Sequence, residues 1–244
     1  MIEIRPLHTH EEFVEAVQLQ QTIWGFEEVE LLPVRLFVTA TKVGGQAFGA
    51  FDGDRMIGFC LAIPGIKAKG KPYIHSHMLG VLKDYRDAGV GRMLKLEQRK
   101  EALSRAIELM EWTFDPLEIK NAYFNMERLG CVVRRFVLNQ YGTTTSKLHA
   151  GLPTDRCVAE WWLASPRVET ILAGGKIDRG PVVARISIPA AIYEIKEHDP
   201  ARARQIQKSA SDQFLENFAK GLAVTGFERT PDSGTYLFTT WDSK

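Results

Sequence analysis

Residues 78–92 contain the end of a short apolar segment, a turn, and the start of an amphipathic segment. Two glycines, Gly89 and Gly91, lie where the turn meets the amphipathic segment. Gly89 and Gly91 let the backbone approach a ligand closely, because neither carries a Cβ atom. The residues that follow have helical periodicity, and the first turn of a helix offers unpaired N–H groups and a partial positive charge. Arg86 and Arg92 add positive charge on either side. This combination predicts a site for an anion such as a pyrophosphate.

Two common phosphate-binding motifs are absent from the chain. No G-x-x-x-x-G-K-[ST] occurs, which excludes a standard P-loop. Leu94 stands where the third glycine of a dinucleotide-binding G-x-G-x-x-G would be. A glycine pair before a helix is also compatible with a tight strand–helix connection that binds nothing.

The pattern R-x-x-G-x-G at Arg86, Gly89 and Gly91 follows a predicted strand that ends in L-x-V at Leu79 and Val81. This pattern resembles the acetyl-coenzyme A signature of the GNAT superfamily of N-acetyltransferases. The resemblance implies acetyl-coenzyme A as co-substrate, no metal, and hydrogen bonds from the strand end to the pantetheine arm. The residues assigned to the coenzyme on this basis are Leu79, Gly80, Val81, Arg86, Asp87, Ala88, Gly89, Val90, Gly91 and Arg92.

Three further segments, at residues 113–117, 121–125 and 128–130, are similar to a bacterial branch of predicted acetyltransferases. In this part of the chain, Asn121 and Asn125 are four residues apart on a predicted helix. They could hydrogen-bond the pantetheine amides, although helix capping or surface exposure would also explain them.

The predicted strand at residues 73–81 carries the candidate base. Strict alternation places five side chains on one face: Tyr73, His75, His77, Leu79 and Val81. The resemblance implies that the acyl group lies where this strand splays from a parallel strand at residues 107–114.

Acyl transfer to an amine needs a group that removes the ammonium proton. Many GNAT proteins carry a glutamate at the position of His77, and an imidazole can serve instead because it titrates near neutrality. A half-buried histidine bonded to the backbone is the alternative role, and we favour it for His75. Glu111 and Asp115 are further carboxylate candidates.

The leaving thiolate is often protonated in this family by a tyrosine four residues before the glycine that ends the next helix. Met126 occupies that position here, four residues before Gly130. Tyr123 and Tyr141 are the substitute candidates, with packing as the competing role for both. Solvent can also supply this proton.

The composition is that of a soluble globular protein. Of 244 residues, 45% are hydrophobic and 25% are charged. The formal net charge of +1 argues against binding to nucleic acid that is mainly electrostatic. The three cysteines form no metal-binding pattern and are expected to be buried and reduced. No export signal or membrane span is recognisable, which predicts a cytoplasmic protein without membrane partners.

Hydrophobic periodicity and turn residues predict an α/β (α+β) fold. We expect a GNAT-like mixed central sheet flanked by helices over residues 1–164, in the order β α α β β β α β α β β. A βαββ extension is predicted over residues 165–244. Thr9 and Glu12 predict a capping box for the first helix, with Gly25 at its end, and residues 52–55 predict a hairpin turn.

These patterns favour an N-acyltransferase that moves an acetyl or short acyl group from coenzyme A to a small-molecule amine or amino acid derivative. A non-catalytic acyl-coenzyme A binder or sensor with the same fold is the alternative, and a purely structural protein is a third. The extension at residues 165–244 could support a homodimer through its strand edge, cover the acceptor site, or extend the sheet.

Overall fold

A computed structural model describes residues 1–142 and 151–241. They form two compact units whose boundary falls between Glu111 and Trp112, inside one strand. The first unit comprises residues 1–111, and the second comprises residues 112–142 and 151–241. A domain boundary after residue 164 stays a prediction.

The first unit is a mixed sheet with helices packed on it. Its strand order is β1-β2-β3-β4-β5, where β1 to β4 are antiparallel neighbours and β5 runs parallel to β4. The elements are β1 (Ile2–Pro6), α1 (His10–Trp24), α2 (Val34–Lys42), β2 (Gln46–Asp52), β3 (Arg55–Ile66), β4 (Pro72–Val81), α3 (Val90–Ser104) and the first half of β5 (Leu109–Phe114), with 3-10 turns at Glu28–Glu30 and Lys83–Tyr85.

Local sequence signals explain the ends of α1. Thr9 Oγ1 accepts a hydrogen bond from the Glu12 N–H at 3.2 Å, and Glu12 Oε2 accepts one from the Thr9 N–H at 3.1 Å. Gly25 ends the helix with a φ of 67°, a left-handed conformation that glycine adopts without steric penalty. The predicted capping box and helix end are therefore confirmed.

The second unit begins with the rest of β5, and its strand order is β5-β7-β6-β9-β10-β8. Val133 of β6 pairs with Val224 of β9, so the C-terminal strands continue the sheet of β6. The other elements are α4 (Ile119–Tyr123), a π-helix (Phe124–Arg128), β6 (Val132–Val137), β7 (Arg156–Trp162), α5 (Pro166–Leu172), β8 (Ala184–Pro189), α6 (Ile192–His198), α7 (Pro200–Ala219), β9 (Leu222–Arg229) and β10 (Ser233–Thr240).

The predicted extension is present with two additional short helices, α5 and α6, of seven residues each. Two turns are too few to produce a readable apolar period, which is why the pattern did not reveal them. None of the helices in the described ranges has both the length and the apolar character that a membrane-spanning helix requires. The three cysteines, all in described segments, are buried and free, as predicted.

Candidate functional site

The connection between β4 and α3 has the backbone shape of an anion cradle. Asp87 and Gly89 both adopt left-handed conformations, with φ of 63° and 82°. Gly89 is the N-cap of α3, and no side chain of the described residues caps the helix there. The first-turn N–H groups thus need partners from outside the helix, and an anion can supply them.

The two glycines keep the approach to this turn open. A Cβ atom built on Gly89 would have no described atom within 4 Å, and one on Gly91 would lie 3.6 Å from Leu79 Cδ2, an ordinary contact. The protein itself therefore does not require glycine at position 91 for packing. A ligand resting on the backbone would require it, so the residues present fit a pyrophosphate group.

The charged residues of the cradle differ in their exposure. Arg86 is exposed, and its Nε donates a hydrogen bond to the Val81 carbonyl at 3.2 Å, which holds the guanidinium beside the strand end. Arg92 is half-buried in the first turn of α3, while Val90 is buried and anchors that turn in the core. Asp87 and Ala88 are exposed on the turn.

A β-bulge in β4 overturns the predicted alternation. Leu61 of β3 pairs with Met78 and Ala62 pairs with Ser76, so His77 is an extra residue. An extra residue shifts every later side chain to the other face.

Contacts beyond the bulge confirm that shift. Leu79 pairs with Cys60 and faces α3, as its contact distance to Gly91 shows. Gly80 faces α1, since a Cβ atom there would lie 2.5 Å from the Trp24 ring. Tyr73, His75 and His77 therefore do not share a face with Leu79 and Val81, and the prediction of a single face was wrong.

His75 and His77 lie close together, with ring centroids 5.9 Å apart. Burial lowers the pKa of His75 to about 4, with the neighbouring His77 adding to the effect and Glu111 opposing it. Burial also lowers the pKa of His77. Both imidazoles are consequently neutral at pH 7 and able to accept a proton.

Glu111 joins this cluster from β5. It pairs with His75 in the parallel register, and its Oε2 lies 2.5 Å from Lys67 Nζ. The Lys67 ammonium also lies 4.3 Å from the centre of the Tyr73 ring. Lys67 belongs to the loop between β3 and β4, and no sequence pattern pointed to its pairing with Glu111.

Behind β4, a buried polar chain links the strand to the cradle helix. Lys95 Nζ donates to Ser76 Oγ at 2.8 Å, and Ser76 Oγ donates to Gln98 Oε1 at 3.0 Å. Gln46 Nε2 continues the chain by donating to the Gln98 carbonyl at 2.9 Å. These hydrogen bonds connect β4, at the residue next to the bulge, to α3, whose first turn belongs to the cradle.

The predicted helix that carries Asn121 and Asn125 is interrupted. Its second half is a π-helix, so Asn121 and Asn125 do not share one surface: Asn121 is exposed, whereas Asn125 is 1% exposed. Neither polar side-chain atom of Asn125 has a hydrogen-bond partner within the described part of the chain. A buried amide with both ends unsatisfied is costly, and it fits a position that bonds a polar ligand.

The two candidate acids occupy different surroundings in the second unit. Tyr123 is half-buried, with the Arg229 guanidinium 5.5 Å from its ring centre. Tyr141 is 45% exposed, and its hydroxyl lies 2.9 Å from Thr113 Oγ1. Met126, at the position where the family pattern has its tyrosine, is fully buried.

The cradle and the separate cluster of His75, His77 and Glu111 both lie in the first unit. The structure places Asn121, Asn125, Tyr123 and Tyr141 in the second. Across residues 1–142 and 151–241, no cluster of three or more histidine, cysteine or carboxylate side chains could hold a metal ion.

No protein-family model and no curated protein matches this sequence. Among solved structures, the ribosomal-protein-S18-alanine N-acetyltransferase from Escherichia coli matches with a TM-score of 0.53 and 18% identity, over 68% of this chain and 96% of that one. Arabidopsis thaliana Naa50, in complex with the bisubstrate analogue CoA-Ac-MVNAL, matches with a TM-score of 0.52 and 14% identity, over 65% of this chain and 97% of that one. A protein assigned to the GNAT acetyltransferase family, from Desulfovibrio desulfuricans, matches with a TM-score of 0.53 and 13% identity, over 67% of this chain and 100% of that one.

Proposed function

We propose that this chain, which has the fold of the GNAT acetyltransferases, is an N-acyltransferase. It moves an acetyl or short acyl group from coenzyme A to an amine of a small molecule or amino acid derivative. The observation that carries the proposal is the open turn at Gly89 and Gly91, at the end of β4 on this fold.

The N–H groups of the first turn of α3 hold the coenzyme pyrophosphate. Arg86 and Arg92 attract it electrostatically, and the left-handed conformations of Asp87 and Gly89 shape a turn of the kind that binds anions through backbone N–H groups. The strand end at residues 79–81 hydrogen-bonds the pantetheine arm. In the second unit, the unsatisfied Asn125 amide is a proposed polar contact for the coenzyme.

His77 is the proposed general base. Its lowered pKa keeps the imidazole neutral at pH 7, and the bulge makes it an extra residue of the strand that leads to the cradle. It accepts a proton from the attacking amine, directly or through one water, as the new C–N bond forms and the C–S bond breaks. Tyr123 or Tyr141 then protonates the leaving sulfur, or water does so.

Thiol release measured against a panel of small amines and amino acid derivatives tests this function. We expect amine-dependent release of free coenzyme A by the wild-type protein, and slow release by His77→Gln. Tyr123→Phe and Tyr141→Phe distinguish the two acids, because only the variant that lacks the true acid should lose turnover at unchanged coenzyme affinity. Absence of turnover with every amine would contradict the enzymatic assignment.

The second candidate is a non-catalytic acyl-coenzyme A binder, and the buried Met126 is the observation that favours it. Methionine cannot donate a proton to a thiolate, so the position that supplies the acid in related proteins is inert here. Saturable binding of acetyl-coenzyme A without thiol release would support this candidate.

A further inference from the structure

We propose that the C-terminal elements, through Lys196 and the partners of Glu127, are a two-point clamp that positions the π-helix for coenzyme binding. This inference rests on the proposed function and deepens it, since it assigns a role to a region for which the sequence left three alternatives open. Lys196 and Glu127 act on Asn125 indirectly and are positioning residues.

The first point of the clamp lies at the turn between β5 and α4. Lys196 of α6 places its ammonium 3.2 Å from Asp115 Oδ2 and 3.1 Å from Glu118 Oε1, and its side chain is only 6% exposed. Asp115 Oδ1 meanwhile accepts a hydrogen bond from the Leu117 N–H at 2.8 Å. One buried cation therefore joins two carboxylates that flank the turn, and removing it would leave them uncompensated.

Strand β10 reinforces the same turn. The Tyr236 hydroxyl is fully buried and donates to the Pro116 carbonyl at 2.7 Å. Gly234 brings the strand backbone against α4, because a Cβ atom there would lie 2.7 Å from Ile119 Cγ2. The start of α4 is thus fixed by both hydrogen bonding and close packing.

The second point of the clamp lies at the other end of the π-helix. Glu127 Oε2 lies 2.6 Å from Arg179 Nη2, and Glu127 Oε1 accepts the Phe227 N–H at 2.8 Å. Arg179 in turn donates through its Nε to the Thr225 carbonyl at 3.1 Å. The residues that bond Glu127, Arg179 and Phe227, and the residue that bonds Arg179, Thr225, all lie beyond residue 164.

Asn125 lies between the two points. Its backbone carbonyl accepts the Cys131 N–H at 2.9 Å, while both polar atoms of its side chain lack partners among the described residues. A π-helix is a rare arrangement that frequently occurs at functional sites. The contacts at both ends hold that arrangement, and with it the orientation of the unsatisfied amide.

The test compares Lys196→Met with a matched control, Lys220→Met. Lys220 belongs to the same region, but its ion pair with Glu216 is exposed. Calorimetric titration with coenzyme A should give a dissociation constant raised about tenfold for Lys196→Met, which corresponds to about 1.4 kcal/mol, and no change for the control. In turnover assays the KM for acetyl-coenzyme A should rise while kcat is retained.

Two further variants apply if Lys196→Met does not fold. Tyr236→Phe removes only the hydroxyl at the first point, and Glu127→Gln removes only the charge at the second. Each should weaken coenzyme binding about threefold or more, because each leaves the rest of its anchor in place.

Amide hydrogen exchange over residues 119–128 adds a readout that needs no coenzyme. Exchange should be faster in Lys196→Met than in Lys220→Met. Wild-type affinity in Lys196→Met, Tyr236→Phe and Glu127→Gln would overturn the clamp while leaving the proposed function intact. Failure of the wild-type protein to bind coenzyme A would overturn the proposed function, and unchanged exchange would overturn the clamp separately.

Discussion

Leu79 and His77 lie on opposite faces of β4, although they are two residues apart in a strand. Leu79 faces the cradle helix beside Gly91, whereas His77 is the extra residue of a bulge and lies near His75. This separates the two proposed tasks of the strand. One face supports the coenzyme cradle, and the other carries the imidazoles proposed for proton transfer.

Gly91→Ala should weaken acetyl-coenzyme A binding at least tenfold without destabilising the fold. The new methyl group has room against Leu79, and alanine favours a helix by about 1 kcal/mol over glycine. Calorimetric titration and thermal unfolding measure the two effects. Met93→Ala is the control, because that side chain is exposed in the same part of α3. Wild-type affinity for acetyl-coenzyme A in Gly91→Ala would contradict the assignment of this turn as the coenzyme-binding cradle.

Gly89→Ala should cost stability as well as affinity. The φ of 82° is a left-handed conformation, which costs a non-glycine residue about 1–2 kcal/mol. Urea unfolding should therefore show a loss of this order, in contrast to Gly91→Ala. Equal stability of the two variants would mean that the turn relaxes on substitution and does not need its left-handed residue.

His77→Gln should reduce turnover about a hundredfold, with coenzyme affinity unchanged. In the wild-type protein the rate should fall as the pH drops through the pKa of His77, which burial holds below 6.5, because the protonated ring cannot act as a base. The rate of the variant should not show this decrease at low pH. The pH dependence of kcat/KM measures it, and an unaltered profile would exclude His77 as the base.

His75 should make the fold sensitive to acid. Its pKa is about 4 when folded and about 6.5 when unfolded, so the unfolded state binds more protons between these values. Relative to His75→Gln, the wild-type protein should therefore lose stability as the pH falls from about 6.5 to about 4. Urea titrations of both proteins at a series of pH values measure the difference, and parallel pH dependences would contradict the burial of a neutral ring.

Features encoded within a few adjacent residues were predictable from the sequence. Gly89 and Gly91 lie in one turn between two periodic segments, and Thr9 and Glu12 lie within one helical turn. Their structural roles depend on local backbone geometry, which a pattern can report.

The bulge at His77 was not predictable, because its register depends on how β3 pairs with β4 rather than on the residues of β4 alone. Lys95 and Gln98 are polar residues of an amphipathic helix, yet both are buried against Ser76, and no sequence pattern pointed to this contact. Lys196 pairs with Asp115 across some eighty residues of sequence, a separation at which composition and periodicity carry no information.

Calorimetric titration of the wild-type protein with acetyl-coenzyme A, with desulfo-coenzyme A as the control, tests whether the turn at Gly89 and Gly91 binds the coenzyme. We expect saturable binding with a stoichiometry of about one per chain, and weaker binding by Gly91→Ala. Absence of heat and of saturation at millimolar ligand would contradict this expectation, and would leave the GNAT fold of this chain without its coenzyme.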